Sequence, residues 1–501
     1  MAASSATKTK LPLDLNEEST GAPLGKDPKN PGRDSKVSRM GAASIPRLIT
    51  EFAIPAILGM VVNGAYNVVD SIFLGQAMGE IGLSAATVAN PIMIVFMAIS
   101  MLIGNGGNAL AALRLGEGRR VDAEISLGNT VLLSVVVSAI VGIAALNPAV
   151  LDGLLTLSSA TAAVRPYARA FLQIICFGFI FQCIGMGVNN FIRTCGAPNR
   201  ALGTMVIGLV GSVAFNALFV LALGWGVMGS ALATVLGWAC SCLAVLQYFC
   251  LRSDVPMRLR LPAMRLSFSM DRTILAFGLP SFCVQAGMAI VNFVINFQLV
   301  KYGALTPIGA DDALAAIGVV QRIGQFSVMP LIGIAIALQP LLGFNYGAHN
   351  VNRVRKTLWY GIGAASSISV LMFIIVEVFA VPIAHAFGIS HDGLVDFTAF
   401  AIRVQFLMLP FVGFQIVSSN YFQATGQPAK SVFLTLTRQI LFLVPLLYLM
   451  PVVLPQLFPQ FTGLDALYFA APVADFLSIF TTAIFVAWEM VRLRKLAAMY
   501  D

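Results

Sequence analysis

A chain of 501 residues in which 58% are hydrophobic and only 11% are charged, with a mean hydropathy of +0.85, is too apolar for a soluble domain. Its net charge of +8 does not mark a nucleic-acid binder, because the basic residues fall in short loops between apolar runs. Seven cysteines without a CxxC pair read as reduced, buried small groups, and His349, His385 and His391 lack metal-ligand spacing.

Residues 1–44 are polar and rich in Pro, Gly, Ser, Lys and Asp, which predicts a disordered tail. No apolar stretch lies close enough to Met1 for a cleaved signal peptide. Twelve apolar spans follow: 47–75, 84–114, 123–149, 164–191, 199–223, 226–252, 271–302, 311–343, 354–382, 397–424, 430–456 and 464–491. Each is long enough to cross a bilayer core of roughly 30 Å as a helix, so the fold class is all-α integral membrane. Residues 45–252 form one six-span half and 271–493 a second. Residues 253–270 link them, and 494–501 form a short tail.

The first span carries Asn63, Tyr66, Asn67 and Asp70 at offsets of 3, 4 and 7, a polar stripe on one helix face. For the uncharged members, inter-helix hydrogen bonds that tighten the bundle are an alternative to a cavity role. Asp70 is different. An aspartate at the centre of a membrane helix costs about 2.5–3.5 kcal/mol on translocon scales, which makes it a functional candidate. Desolvation penalises its charged form, and a carboxylate whose surroundings change can bind and release a proton. Gln285, Asn292 and Asn296 form a second stripe in span seven, and Gln321 and Arg322 lie in span eight. Arg322 either approaches the cavity near Asp475 or Glu377, or extends to an interface. Asp475 has a cavity role or a structural partner.

The halves repeat. EFAIP (51–55) aligns with AFGLP (276–280), a shift of 225. LSAATVAN (83–90) aligns with LAAIGVVQ (314–321) and RLGEG (114–118) with NYGAH (345–349), both shifted by 231. NNFIRTCGAPNRA (189–201) matches SNYFQATGQPAKS (419–431), shifted by 230. The second half is therefore six residues longer between its first two helices. Six spans per half make the repeats parallel, an arrangement common among transporters. Basic residues gather on one side, at Arg47, Arg114, Arg119, Arg120, Arg193, Arg200, Arg252, Arg258, Arg353, Arg355, Lys356, Lys430 and Arg492. The other side holds few, mainly Arg165, Arg169, Lys301 and Arg403, beside acids such as Glu80, Asp311, Asp312, Asp392 and Asp465, which predicts that both termini are cytoplasmic.

In NVVDSIFLG (67–75), IRTCGAPNRA (192–201), GWGVMGSALATV (224–235), FGLPSF (277–282) and above all LQPLLGFNYGA (338–348), the chain resembles the multidrug and toxic compound extrusion (MATE) family, in its DinF-like and MepA-like branch. The resemblance spans roughly residues 47–490. It implies a multi-pass transporter of the bacterial inner membrane, acting as a monomer, with two six-helix lobes around a V-shaped central cavity. Such a protein is a secondary active exporter of cationic or amphipathic small molecules, a route to antibiotic resistance, with no cofactor beyond a coupling ion. The DinF-like likeness favours H⁺ over Na⁺. Carried over by position, the coupling network is Asp70, Tyr66, Ser212, Asn216 and Thr234. Relatives with a second carboxylate in the fifth helix have Asn216 as its counterpart here, and Met288 stands where another branch has a helix-seven acid. Asn63, Asn67, Gln285, Asn292, Asn296, Gln321 and Arg322 become candidates for the substrate cavity.

Three rivals remain. An intramembrane enzyme would need a paired acid and base or a metal cluster within the spans. A flippase for lipid-linked precursors would call for a cationic cavity, and the spans are nearly free of Lys and Arg. A passive channel has no use for a parallel repeat with a lone titratable carboxylate. One proton crossing 100 mV gains about 2.3 kcal/mol, and each pH unit adds about 1.4 kcal/mol. That is enough for a roughly hundred-fold substrate gradient.

Overall fold

The structure is a computed structural model that describes residues 31–157, 164–252, 255–260, 264, 267–387 and 392–500. All regular elements among them are helical, as an apolar chain in lipid requires, because a helix pairs its own backbone polar groups. In the first half α1 runs over Pro31–Ala42, α2 over Ile45–Gly116, α3 over Arg120–Leu146, α4 over Pro148–Leu157, α5 over Arg165–Gly187, α6 over Asn189–Thr194, α7 over Pro198–Asn216 and α8 over Gly226–Cys250. The second half has α9 over Phe268–Gly303, α10 over Ala310–Gly347, α11 over Val351–Val378, α12 over Ala380–Ala386, α13 over Asp392–Gln405 and α14 over Leu409–Ala424. It ends with α15 over Pro428–Leu436, α16 over Val444–Leu457 and α17 over Gly463–Tyr500.

Eleven helical segments among the described residues are long and apolar enough to cross a membrane. A bent pair, α13 and α14, turns through 44° and supplies the twelfth. Its break falls just before Pro410, which fixes the first turn of α14 and cannot continue the preceding helix.

Two expectations change. Residues 31–42 of the predicted disordered tail form a helix with Val37 and Met40 buried. Arg353 holds the end of this segment by donating to the carbonyls of Met40 at 3.2 Å and Ala43 at 2.7 Å. The tail composition concealed two apolar side chains at helical spacing. The reversal predicted between residues 75 and 84 divides two spans as expected, but without a loop, and the backbone keeps helical winding throughout the 72 residues of α2. No proline interrupts residues 76–83, so nothing there removes a helical hydrogen bond.

A straight helix of that length would reach about 108 Å, yet α2 doubles back. Gly41, just ahead of it, packs against the Phe344 ring, and a Cβ on Gly116 at its far end would lie 2.1 Å from the Phe344 carbonyl oxygen. The arms 45–66 and 88–116 are thus separate crossings. In the second half the corresponding reversal is an open turn, Ala304–Gly309, ending in Gly309 at φ +84°. Left-handed backbone of that kind suits glycine, and this turn contains the extra residues of the second repeat.

The halves meet about a pseudo-twofold axis that follows the repeat. Gly116 and Gly347 are repeat equivalents, and a Cβ on Gly347 would sit 2.2 Å from the Leu113 carbonyl oxygen. Leu113 and Phe344 are equivalents as well, so each glycine faces the other's neighbour. Gly106 against Ile274 and Gly278 against Leu102 close the same end. Gly196 at φ +75° before Pro198, and Gly426 at φ +77° before Pro428, make the same corner in each half.

Candidate functional site

Three helices converge on Asp70. It lies on α2, and its Oδ1 accepts a 3.0 Å hydrogen bond from Asn216 Nδ2 in the last turn of α7. Its Oδ2 accepts a 2.8 Å bond from Thr234 Oγ1 on α8. Asn216 Nδ2 is also 3.0 Å from the Ser212 carbonyl and 3.4 Å from Ser212 Oγ. Directly after Asn216 the helix widens into a π-helical stretch, Ala217–Ala222, a local change of winding that recurs at functional sites. Asn216 Oδ1 is buried without a partner. Among the described residues no Lys or Arg makes an ion pair with Asp70, so its charge is balanced by two neutral donors.

Tyr66, one turn before Asp70, presses its hydroxyl against α7, where a Cβ on Gly208 would come within 2.2 Å of it. Only a residue without a side chain admits that approach. Asn63 and Tyr66 both line a cavity of about 150 Å³. Met60, Met93, Met97, Met101, Met186 and Met205 supply much of its apolar wall, with Trp238 and Phe181 beside them. Methionine side chains bend and polarise easily, so this wall can follow ligands of different shape. The sequence showed twenty methionines without showing which six would gather here.

The cavity belongs almost wholly to the first half, with Ile336 as its lining residue from the second. Gln285, Asn292, Asn296, Gln321 and Arg322 do not line it. Gln321 Nε2 instead donates to Asn292 Oδ1 at 3.1 Å. The Arg322 guanidinium stands 5.9 Å from the centre of the Phe387 ring. The side chain of Asn67 lies outside those described.

Two arginines were misjudged or missed from sequence. Arg438, absent from the sequence reading, pairs with Asp475 at 2.7 Å and gives that acid a structural partner. Glu377 lies 3.9 Å from Arg403. Neither acid meets Arg322. A lone cation in one apolar span and a lone anion in another was the available signal. Arg193, read as part of a basic loop, is only 2% exposed and lines the cavity. Its place in the short helix α6, ahead of the Gly196 corner, turns it inward.

Twelve apolar crossings in two repeated halves, with a polar three-helix site inside the first, define a polytopic helical membrane protein. The chain belongs to the MatE family, whose model matches residues 55–218 and 280–449, once in each half. It is 23% identical over 452 residues to the multidrug export protein MepA of Staphylococcus haemolyticus, covering 89% of this chain and 95% of that protein. To MepA of Staphylococcus aureus MRSA252 it is 22% identical over 424 residues, covering 83% and 90%. Among solved structures, a MATE protein in its bent conformation superposes with a TM-score of 0.82 at 23% identity, covering 92% of this chain and 99% of that one. A MOP superfamily transporter from Pyrococcus furiosus, described as having a binding pocket of reverse polarity, gives 0.81 at 24% identity, with 92% and 98% covered.

Proposed function

We propose that this chain is a secondary active multidrug exporter that moves cationic or amphipathic compounds outward across the bacterial inner membrane in exchange for H⁺ taken up at Asp70. It works as a monomer with both termini in the cytoplasm, and needs no cofactor other than the coupling ion.

One observation carries the reading. Asp70 joins α2, α7 and α8 through hydrogen bonds to Asn216 and Thr234 rather than through an ion pair. Protonation removes a charge and turns one acceptor oxygen into a donor, so the partner facing that oxygen must change role: Thr234 Oγ1 can accept there while donating to the Ser230 carbonyl 3.0 Å away, whereas Asn216 Nδ2 cannot accept. The bonds that hold α2 to α7 and α8 therefore differ between the two protonation states. An exporter needs such a difference, because a ligand shifts a conformational equilibrium only by its differential affinity for the two states. The methionine-rich cavity next to Tyr66, in the same half, supports a substrate site there. The multidrug export relatives favour the same substrate class.

The test is efflux from everted vesicles under an imposed pH gradient compared with an imposed sodium gradient. Export driven by the pH gradient alone supports the reading, and export driven by sodium alone replaces H⁺ with Na⁺. A lipid-linked precursor flippase is the second reading, favoured by the buried Arg193. One guanidinium falls short of the several cations that would balance a diphosphate, so the exporter reading is preferred.

A further inference from the structure

The first-half cavity contains a cation, Arg193, that no carboxylate among the described residues neutralises. Arg193 is 2% exposed, and its guanidinium lies against Gly59 of α2 and Met205 of α7. It donates to Asn190 Oδ1 and approaches Met205 Sδ at 3.7 Å, while its Nε has no hydrogen-bond partner. No ion pair to a carboxylate is present among the described residues. A buried charge with so few partners is costly unless something completes it.

The repeat shows that the scaffold does not require this charge. The position equivalent to Arg193 in the second half is Gln423, at the same corner before a left-handed glycine and a proline. There a neutral amide suffices, donating to the Phe277 carbonyl at 2.8 Å and to Ser281 Oγ at 3.2 Å. The guanidinium is therefore an addition to the first half, at the edge of its cavity. Its planar fork matches the paired oxygens of a carboxylate or phosphate.

We propose that Arg193 is a subsite for the acidic group, carboxylate or phosphate, of an amphipathic ligand whose apolar body rests on the methionine wall. This rests on the cavity being the substrate cavity of the proposed exporter. The geometry also sets the ligand's orientation. Asp70 lies eleven residues beyond Gly59 on the same helix, about 16 Å away. The acidic end is thus held at the opposite end of the stripe from the coupling carboxylate, where the two like charges repel least. A cavity of about 150 Å³ is below the 300–1,000 Å³ of drug-sized sites, so this state admits a headgroup with one or two rings.

Isothermal titration calorimetry on the full chain in phosphatidylcholine nanodiscs tests it without any gradient. The probes are 2-naphthoate, 2-naphthyl phosphate and 2-naphthylmethylammonium. The wild type is expected to bind both acids at least tenfold more tightly than the ammonium. Arg193→Gln, which installs the residue of the second half, is expected to weaken both acids at least tenfold and leave the ammonium within twofold. Arg193→Lys should fall between. Adding phosphatidylglycerol to the nanodiscs separates the sources. Competition with naphthoate makes a lipid headgroup an occupant of the subsite, and no competition restricts it to free acids. The absence of an acid preference in the wild type overturns the proposal even if Arg193→Gln fails to insert. An equal loss for all three probes in Arg193→Gln also overturns it, since that marks a structural role. Failure of H⁺-driven export would leave the binding preference intact, so the two readings fail separately.

Discussion

Asn108 and Gln339 occupy the same position in the two repeats, 231 residues apart, and hydrogen-bond to each other at 3.1 Å. Two equivalent residues can meet only on the axis that relates them, so this bond marks the pseudo-twofold between the halves. Asn108 also accepts from Thr194 Oγ1 at 2.7 Å, which ties the axis to α6, the helix that carries Arg193.

Removing the axial amide should loosen the closed end. Asn108→Leu leaves buried polar groups on Gln339 and Thr194 without their partner, at a cost of about 1–3 kcal/mol. Thermal unfolding of the detergent-purified variant should show a lowered midpoint. Gln339→Leu should behave similarly, and an unchanged midpoint for both would show that the bond contributes nothing.

The glycine pair beside the axis gives a sharper test. A Cβ on Gly116 or Gly347 would come within 2.1 or 2.2 Å of a backbone oxygen of the opposite half, and a backbone cannot yield as a flexible side chain can. Gly116→Ala and Gly347→Ala should each force the halves apart at this end. Spin labels on the exposed Val121 and Lys356, with the exposed Cys250 replaced, should report longer distances in both variants. Distances equal to those of the parent would contradict the closure described above.

The Asp475–Arg438 pair should be structural rather than part of transport. Deleting one member of a buried pair costs about 3–5 kcal/mol, and the side-chain exposures of 28% for Arg438 and 12% for Asp475 reduce this to about 2 kcal/mol. Arg438→Met should lower the unfolding midpoint, and the charge-swapped double variant should recover part of the loss. Loss of export in Arg438→Met without any loss of stability would instead point to a transport role.

Much of the fold was legible in the sequence because lipid imposes simple rules. Apolar length gave the spans, and the offsets of 225, 231 and 230 gave the repeat that the equivalent Gly116–Phe344 and Gly347–Leu113 contacts now express in space. Of the polar core of the site, Asp70 was legible for the same reason, as an acid in an apolar span, whereas Asn216 and Thr234 were reached only through the MATE resemblance; the three meet. The cavity wall was not. Which face of a methionine-rich helix meets lipid and which meets a cavity depends on packing between segments far apart in the chain. Arg193 was misread because a basic residue at a span end looks like a loop charge, and only the corner at Gly196 turns it inward. The helix over residues 31–42 was hidden because two apolar side chains, Val37 and Met40, are too few to alter the composition of a polar segment.

Thr234 should matter through its hydroxyl. Thr234→Val keeps shape and removes one of the two bonds to Asp70, and a hydrogen bond to a charged group is worth about 1.5–3 kcal/mol. Efflux in everted vesicles should fall about tenfold or more, since 1.4 kcal/mol is a factor of ten. Thr234→Ser should stay within about twofold of the parent, because the donor returns. Equal rates in all three would separate Thr234 from coupling.

The most direct measurement is proton release from purified protein when substrate is added, followed with a pH indicator in weakly buffered detergent solution. With Asp70 as the exchanging group, the wild type should release H⁺ in proportion to substrate bound, and Asp70→Asn should bind substrate while releasing none. Undiminished release from a folded Asp70→Asn protein would contradict the account.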